Sequence, residues 1–413
     1  PGAAAAVNQV AEAMRKLGAK VTLQPAKVHH WVRGVETGEL VDYAGRPAGL
    51  SQKIVLTALG MSGATAPQGL TAPVLVVHSF DELKARSAEV KGKIVLFDVA
   101  FDQHKADRGL AGPAYGEAVA YRGAGPRMAA DLGAVGALVR SVGGADFRIP
   151  HTGFTGFGQR APIPAAAVTA EDAMLMTRLS ARGPLTMKLT LTPQILPDVD
   201  SFNVIADWPG TDKKDEVVIV SGHLDSWDLA TGANDDGSGV VTAMAVIDTL
   251  HKLDFHPRRT IRVVAWMDEE TGGQGALAYK EAEKGSVAKH FAAIENDSGS
   301  GHPFGFKGSI PASAEALFKP LQKALEPIGA GVFQREDLLG TGDLYPLEQA
   351  GVPSFEPVID TSKYFHYHHT PADTLDKVDP DDLRRHATVM TALAWYLANL
   401  DEPIGHAPGA DKH

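Results

Sequence analysis

Cysteine is absent from this 413-residue sequence. Its absence excludes disulfide bonds, cysteine–zinc sites and a cysteine nucleophile. Long apolar runs are lacking too, since no stretch approaches the roughly 18 apolar residues that a membrane-spanning helix needs. We therefore predict no membrane span, and we look for metal-binding or catalytic groups among the other polar side chains.

Basic residues are also in deficit. The chain has 39 Lys and Arg against 50 Asp and Glu, which gives a formal net charge of -11. Such a charge argues against nucleic acid or an anionic membrane as the main partner. The composition is otherwise that of an ordinary globular protein, with 44% apolar and 22% charged residues.

The length predicts two domains. From about residue 200, apolar strand-like runs alternate with helical segments, which predicts an α/β domain with a mostly parallel sheet covered on both faces. The preceding region has short β runs between loops rich in glycine and proline. We divide the chain into the N-terminal part of the main domain (1–69), an inserted β-rich domain (70–195), the main domain (196–402) and a flexible tail (403–413).

The first 18 residues predict an amphipathic helix. Apolar residues from Val7 to Leu17 recur at helical spacing, and Gly18 follows them. Because the chain begins within this helix, we expect a further N-terminal segment in the natural protein.

Polar residues gather where the predicted strands of the main domain end. In open α/β sheets, the carboxyl ends of the strands form the ligand-binding edge. Four clusters lie there or in the loop beyond, and a histidine cluster follows later in the chain: His223 and Asp225; Asp235 and Asp236; Asp268, Glu269 and Glu270; Glu295 and Asp297; His366, His368 and His369.

Imidazole and carboxylate ligands without thiolate suit zinc or a similar divalent metal. A two-metal site needs one bridging carboxylate and roughly two terminal ligands for each ion, a number that these clusters supply. One further carboxylate must stay uncoordinated to move a proton. Adjacent side chains at a strand end point to opposite sides, so Glu269 and Glu270 can divide these tasks. Any one cluster alone is typical of a solvated turn, and their coincidence favours a metal site.

Five motifs resemble, in order and spacing, those of the co-catalytic zinc aminopeptidase and carboxypeptidase family. They are GHLDSWD, ANDDGSG, AWMDEETGGQGA, ENDSG and HHTPADT. The stretches GAVGALVRS and PIPAAAVTAEDA resemble the family's inserted protease-associated domain. The resemblance implies a zinc-exopeptidase fold, also called phosphorylase/hydrolase-like, in which a three-layer domain contains a mixed, mostly parallel sheet.

The resemblance also implies two Zn²⁺ ions per chain and a role for each matching residue. Asp235 is the implied bridge, and the other four implied ligands are His223, Glu270, Asp297 and His369. His369 is preferred over His368 because the family's ligand lies four residues before an aspartate. Glu269 is the implied general base, and Asp225 is implied to orient His223. We also expect Asp343, Tyr364 and His368 to bind substrate.

The implied activity is hydrolysis of dipeptides and short peptides with free termini. Members of this branch often form homodimers and are secreted or periplasmic, so we expect both properties here. Two alternatives remain open: a single-zinc enzyme resembling glutaminyl cyclases, and a non-catalytic binding ectodomain on the same fold. Zinc stoichiometry separates the first from a two-zinc peptidase, and the presence of all five implied ligands and Glu269 counts against the second.

Overall fold

A computed structural model describes residues 2–144, 147–340 and 342–412. None of the helices in these ranges is long and apolar enough to cross a membrane. The strands in chain order are β1 (Lys20–Val32), β2 (Glu36–Asp42), β3 (Gln52–Ile54), β4 (Leu56–Ala58), β5 (Leu70–Val77), β6 (Ile94–Phe97), β7 (Gly136–Arg140), β8 (Ala165–Val168), β9 (Thr186–Leu191), β10 (Gln194–Trp208), β11 (Lys213–His223), β12 (Arg259–Trp266), β13 (His290–Glu295), β14 (Pro303–Ser309), β15 (Val332–Glu336) and β16 (Ser354–Ile359).

The α-helices lie between these strands and at their flanks. In chain order they are α1 (Gly2–Lys16), α2 (Phe80–Ala85), α3 (Gln103–Ala106), α4 (Ala111–Gly123), α5 (Gly125–Asp131), α6 (Ala170–Ser180), α7 (Ser238–Leu253), α8 (Gln274–Glu283), α9 (Lys319–Leu325), α10 (Tyr345–Glu348), α11 (Tyr364–Tyr367) and α12 (Pro380–Asn399). The predicted first helix is confirmed, because α1 buries Val7, Val10, Ala11 and Met14 on one side.

The first sheet has eight strands in the order β1-β10-β12-β11-β13-β16-β14-β15. Its centre is parallel, since β12, β11, β13 and β16 all run in the same direction. The pairs β1–β10, β10–β12 and β14–β16 are antiparallel. The predicted mixed α/β fold is therefore confirmed, and the parallel centre brings the carboxyl ends of its four strands to one edge.

Apolar side chains cover both faces of this sheet. In β11, Val217, Val218, Ile219 and Val220 are all buried, as expected for a strand packed on both sides. One face packs against α1, α7 and α12, and the other packs around Trp266 and Tyr279 of β12 and α8. These layers hold the strand ends in fixed positions.

The second sheet also has eight strands, in the order β3-β2-β9-β5-β6-β7-β8-β4. Strands β5 to β8 are parallel, and the remaining pairs are antiparallel. Its strands span residues 36–191, so β2, β3 and β4 contribute residues that the sequence division assigned to the main domain. These three strands are short, with three to seven residues each, and alternation is weak over such lengths.

The C-terminal segment, for which the sequence predicted flexibility, lies against the main body. Ile404 and Ala407 are buried, and the Ala407 N–H donates a hydrogen bond to the Gly351 carbonyl. Two buried apolar side chains and one backbone hydrogen bond thus hold residues 404–407 against the main body.

Candidate metal centre

The acidic and histidine residues predicted from strand ends meet at one edge of the first sheet. Strand β11 ends at His223, β12 is followed by the Glu269–Glu270 pair, and β13 ends at Glu295. Because these strands are parallel neighbours, their carboxyl ends open onto the same side.

The first group of potential ligands surrounds His223. Its Nε2 lies 3.2 Å from Asp235 Oδ1 and 3.3 Å from Asp297 Oδ1. Its Nδ1 lies 2.9 Å from the Asp225 carbonyl oxygen, which accepts a hydrogen bond from the Nδ1–H tautomer. That tautomer leaves Nε2 free to bind a metal ion.

The second group surrounds His369. Its Nε2 lies 3.2 Å from Asp235 Oδ2 and 3.0 Å from Glu270 Oε2. Its Nδ1 lies 3.2 Å from the Thr152 carbonyl oxygen, so this ring is also oriented with Nε2 toward the acids. Both groups use Asp235, one oxygen each, which is the arrangement that a bridging carboxylate requires.

His368 lies close to the same carboxylate. Its Nε2 is 3.6 Å from Asp235 Oδ2, and its ring stacks on His369 with centroids 3.6 Å apart. Asp235, His368 and His369 could together hold an ion, as could His223, Asp235 and Asp297. His369 makes the shorter approach to Asp235 and also meets Glu270, which favours it as the ligand. Of the described residues, His366 joins neither group.

Asp225 organises the loop that carries the glutamate pair. Its carboxylate accepts hydrogen bonds from three successive backbone N–H groups, those of Asp268 (2.8 Å), Glu269 (3.1 Å) and Glu270 (3.2 Å). The carbonyl oxygen of the same residue orients His223, whereas its carboxylate is 3.9 Å from that ring. Asp225 therefore connects one predicted ligand to the loop that holds another.

Two further aspartates, for which no role was predicted from the sequence, hold the backbone around the predicted ligands. Asp373 accepts from the N–H groups of Asn234 (2.7 Å) and Asp235 (3.1 Å). Asp236 accepts from the His223 N–H and the Gly239 N–H, both at 3.0 Å. Asp373 lies in the HHTPADT motif, four residues after His369. This spacing was the sequence signal that could have indicated its role.

The pKa values of Glu269, Glu270 and His369 are raised, as expected for a crowded set of metal ligands. Burial raises the pKa of Glu270 to about 7. It raises the pKa of Glu269 well above its usual range, and the charges of Asp297 and Glu270 add to this effect. Burial opposes protonation of His369, but Glu270 and Asp235 raise its pKa to about 9. A cation near these side chains would favour ionised carboxylates and neutral imidazoles, so the donor set fits a divalent metal.

A cavity of about 670 Å³ opens beside these residues and is lined by Asp235, Glu269, Glu270, Asp297 and His369, among others. Tyr364, a predicted substrate-binding residue, lines the same cavity. Asp343 is 2% exposed and follows the cavity-lining Gly342. In the described part of the chain, neither carboxylate oxygen of Asp343 has a hydrogen-bond partner.

The part of the chain that carries the second sheet also contributes to the site. Besides the Thr152 carbonyl, it supplies His151, whose Nδ1 lies 2.9 Å from the His368 carbonyl oxygen. It further supplies Arg122, whose Nη1 lies 3.3 Å from His369 Nδ1. Trp227, within the first ligand motif GHLDSWD, packs edge-on against His369 with centroids 5.8 Å apart.

Comparisons with known proteins agree with this geometry. The sequence profile described as Peptidase family M28 matches residues 203–394. Carboxypeptidase Q from Xenopus laevis is 37% identical over 389 residues, which cover 93% of this chain and 78% of that protein. Carboxypeptidase Q from Homo sapiens is 34% identical over 390 residues, with the same two coverages of 93% and 78%.

Solved structures give the same result. A Peptidase M28 precursor from Shewanella amazonensis SB2B has a TM-score of 0.91 and 33% identity, covering 98% of this chain and 90% of that one. A zinc aminopeptidase from Bacillus subtilis shares the fold with a TM-score of 0.66 at 22% identity, covering 98% and 91%. The chain therefore belongs to peptidase family M28, and it is a metallopeptidase.

Proposed function

We propose that the protein is a two-zinc exopeptidase that hydrolyses dipeptides and short peptides. The observation that carries this proposal is the sharing of Asp235 between two potential ligand groups. His223 and Asp297 would hold one ion, and Glu270 and His369 the other. The name of the Bacillus subtilis relative, a zinc aminopeptidase, supports zinc as the metal.

Glu269 is the proposed proton carrier. When bound, two zinc ions would supply an activated water molecule and polarise the scissile carbonyl. Glu269 lines the cavity, and the Asp225 carboxylate fixes the backbone around it. Because Glu269 belongs to neither ligand group, its carboxylate is available to take a proton from water and give it to the leaving amine.

Short substrates with free termini fit the shape and charge of the site. A cavity of about 670 Å³ has the size typical of small-ligand sites. We propose that Asp343 attracts the substrate's free α-amine, because its buried carboxylate has no hydrogen-bond partner among the described residues. Tyr364 and His368 stay proposed as substrate contacts on the cavity wall.

We also propose that the second sheet is the protease-associated domain of this family. It lies within the chain between elements of the first sheet, and its residues Arg122 and Phe154 line the cavity. The homodimer and the location outside the cytoplasm stay predictions from the family resemblance. Light scattering on the purified protein tests the dimer.

The deciding experiment measures hydrolysis and metal content on one sample. The substrates are a free dipeptide and its N-acetylated and C-amidated forms. They are tested with wild type, Glu269→Gln and the control Glu281→Gln, which changes an exposed residue of α8. We expect about two zinc ions per chain in all three proteins and loss of turnover in Glu269→Gln alone.

Other outcomes would point to the alternatives. One zinc ion per chain would favour a cyclase-like enzyme. Two bound ions without cleavage of any peptide in the panel would favour a binding platform. Wild-type protein that binds no zinc would contradict the ligand assignment.

A further inference from the structure

A second cavity, of about 520 Å³, lies beside the metal centre and next to the start of α12. The loop between β13 and β14 and the segment after β16 form two of its walls, and their backbones touch. A Cβ at Gly301 would overlap the Asp360 carbonyl oxygen, and the Asp360 N–H donates to the His302 carbonyl at 2.9 Å. Backbone contacts therefore fix these walls, and the second cavity is preformed.

Asn234 brings an unpaired hydrogen-bond donor to the wall of the second cavity. The residue is 5% exposed and lines this cavity. Its Oδ1 accepts from Ser300 Oγ at 2.8 Å and its N–H donates to Asp373 at 2.7 Å, so both its backbone and its side chain are held. Among the described residues, its Nδ2 has no hydrogen-bond partner. A buried amide without an acceptor is costly, so this position favours an acceptor supplied from outside the chain.

Lys363 adds a positive charge to the same cavity. It is exposed, and within the described ranges no ion pair joins its ammonium group to a carboxylate. The cavity's other lysine, Lys377, is in contrast paired with Asp376. The amide of Asn234 and the ammonium of Lys363 are therefore donors that a carboxylate from outside could use.

The acids of the second cavity already have partners in the protein. Asp360 accepts from the Ser362 N–H at 2.9 Å, Asp379 accepts from two N–H groups at the start of α12, and Asp382 lies 2.9 Å from His302 Nδ1. With Asp376, these acids still outnumber the two lysines of the cavity by four to two. A ligand that carries an ammonium group as well as a carboxylate suits this charge balance better than a simple anion.

We propose that the second cavity binds a free α-amino acid, whose carboxylate accepts hydrogen bonds from Asn234 and Lys363. The volume is within the range of small-ligand sites. The second cavity shares Ser298 and Tyr364 with the cavity of the metal centre, so it lies directly beside the place where a peptidase releases amino acids. The choice of an amino acid as the ligand rests on the proposed peptidase function. Because Asn234 is joined to Asp235, a bound amino acid would contact the residue next to the bridging carboxylate.

The first test is calorimetric titration of the zinc-loaded protein with L-alanine, N-acetyl-L-alanine and L-alaninamide. We expect L-alanine to bind about 10-fold more tightly than either derivative, since each derivative lacks one of the two charges. Lys363→Gln should weaken the binding of L-alanine by about 5-fold and leave kcat/KM for a dipeptide unchanged. Lys377→Gln is the matched control, because it removes the paired lysine of the same cavity and should leave the affinity for L-alanine unchanged.

A second titration separates the two cavities. Acetohydroxamic acid, a neutral zinc ligand, is added at saturation to occupy the metal centre, and L-alanine should still bind. Asn234→Asp replaces the free donor with a negatively charged oxygen and should abolish that binding. Zinc content and circular dichroism are measured on the same variant, and if it loses zinc or does not fold, the comparison of Lys363→Gln with Lys377→Gln decides.

Failure of this inference is distinguishable from failure of the peptidase function, because binding of L-alanine is measured without turnover. Cleavage of dipeptides by a protein that binds no L-alanine would overturn the inference and leave the peptidase intact. Equal affinities for L-alanine and L-alaninamide, an affinity that Lys363→Gln leaves unchanged, or displacement of L-alanine by acetohydroxamic acid would also overturn it. If wild type cleaves no peptide but binds L-alanine in the expected way, the peptidase proposal fails and the amino-acid site stands.

Discussion

Each of the two eight-stranded sheets has an acid just beyond a central parallel strand, but the surroundings of the two acids differ. Asp98 follows β6 of the second sheet, and its carboxylate is bound by Arg140 at 3.1 Å and Thr177 at 2.6 Å. Asp297 follows β13 of the first sheet, where its neighbours are His223 and further acids. Position at a strand end is therefore not what marks a functional acid. The difference is whether the fold already supplies a permanent cation.

The largest effect should come from the shared carboxylate. Asp235→Asn alters both ligand groups at once, so we expect loss of bound zinc and a fall in kcat/KM of well over ~100-fold, since changes to residues that merely support ligands already cost ~10–100-fold. The matched variant Asp98→Asn should keep zinc and activity but lower the free energy of unfolding by about 1–3 kcal/mol. Metal analysis, kinetics and urea unfolding measure these effects. Zinc loss in Asp98→Asn would remove the contrast between the sheets.

The next effect concerns the residue that supports the ligands. Asp225→Asn weakens acceptance from three backbone N–H groups at the glutamate loop, so zinc affinity or kcat/KM should fall by roughly 10-fold to 100-fold. The exposed Asp215→Asn, on β11 of the same sheet, is the control. Competition with a zinc chelator and steady-state kinetics provide the measurements. Unchanged values in Asp225→Asn would show that the loop holds its shape without this carboxylate.

A smaller effect should follow from disturbing the contact between the sheets. A Cβ at Gly60 would overlap the Trp227 ring, which also packs against Trp31 and His369. Gly60→Ala should therefore lower the free energy of unfolding by about 1–3 kcal/mol. Gly285→Ala, where a Cβ meets nothing within 4 Å, should be close to neutral. Urea unfolding with zinc present compares the two, and equal stabilities would mean that Trp227 can move aside.

The smallest predicted effect concerns a buried ionisable group that lies outside the site. His386 on α12 is fully buried, both ring nitrogens lack partners among the described residues, and burial lowers its pKa to about 4. Its unfolded pKa is near 6.5, so the unfolded chain binds the extra proton and stability falls as the pH drops from about 6.5 to 4.

His386→Leu removes this titration. Between pH 7 and pH 5, wild type should lose about 1–2 kcal/mol more than the variant in the free energy of unfolding. Urea unfolding at both pH values measures the difference, and parallel losses in the two proteins would contradict a neutral buried His386.

The sequence predicted the first sheet well because its strands are long apolar runs that end in acids and histidines. His223, Asp235, Glu270, Asp297 and His369 come together as the strand-end argument expected. The sequence did not predict that β2, β3 and β4 join the second sheet, because strands this short can be identified only from the strands with which they pair.

Contacts made by backbone atoms also could not be predicted from the sequence. The Thr152 carbonyl that orients His369 and the Asp225 carbonyl that orients His223 are properties of chain geometry and could be provided by any residue type. The contact between Arg122 and His369 could not be predicted from the sequence either, because it depends on how the part of the chain that carries the second sheet packs against the first sheet.

The shared use of Asp235 has a consequence for the biosynthesis of the protein. A ribosome makes His223 and Asp235 first, and His369 and its supporting Asp373 emerge more than a hundred residues later. Asp373 holds the Asn234–Asp235 backbone in position, so the bridge itself is incomplete until that late segment docks. The order of the chain thus delays completion of the metal centre until the segment that carries His369 and Asp373 has been synthesised.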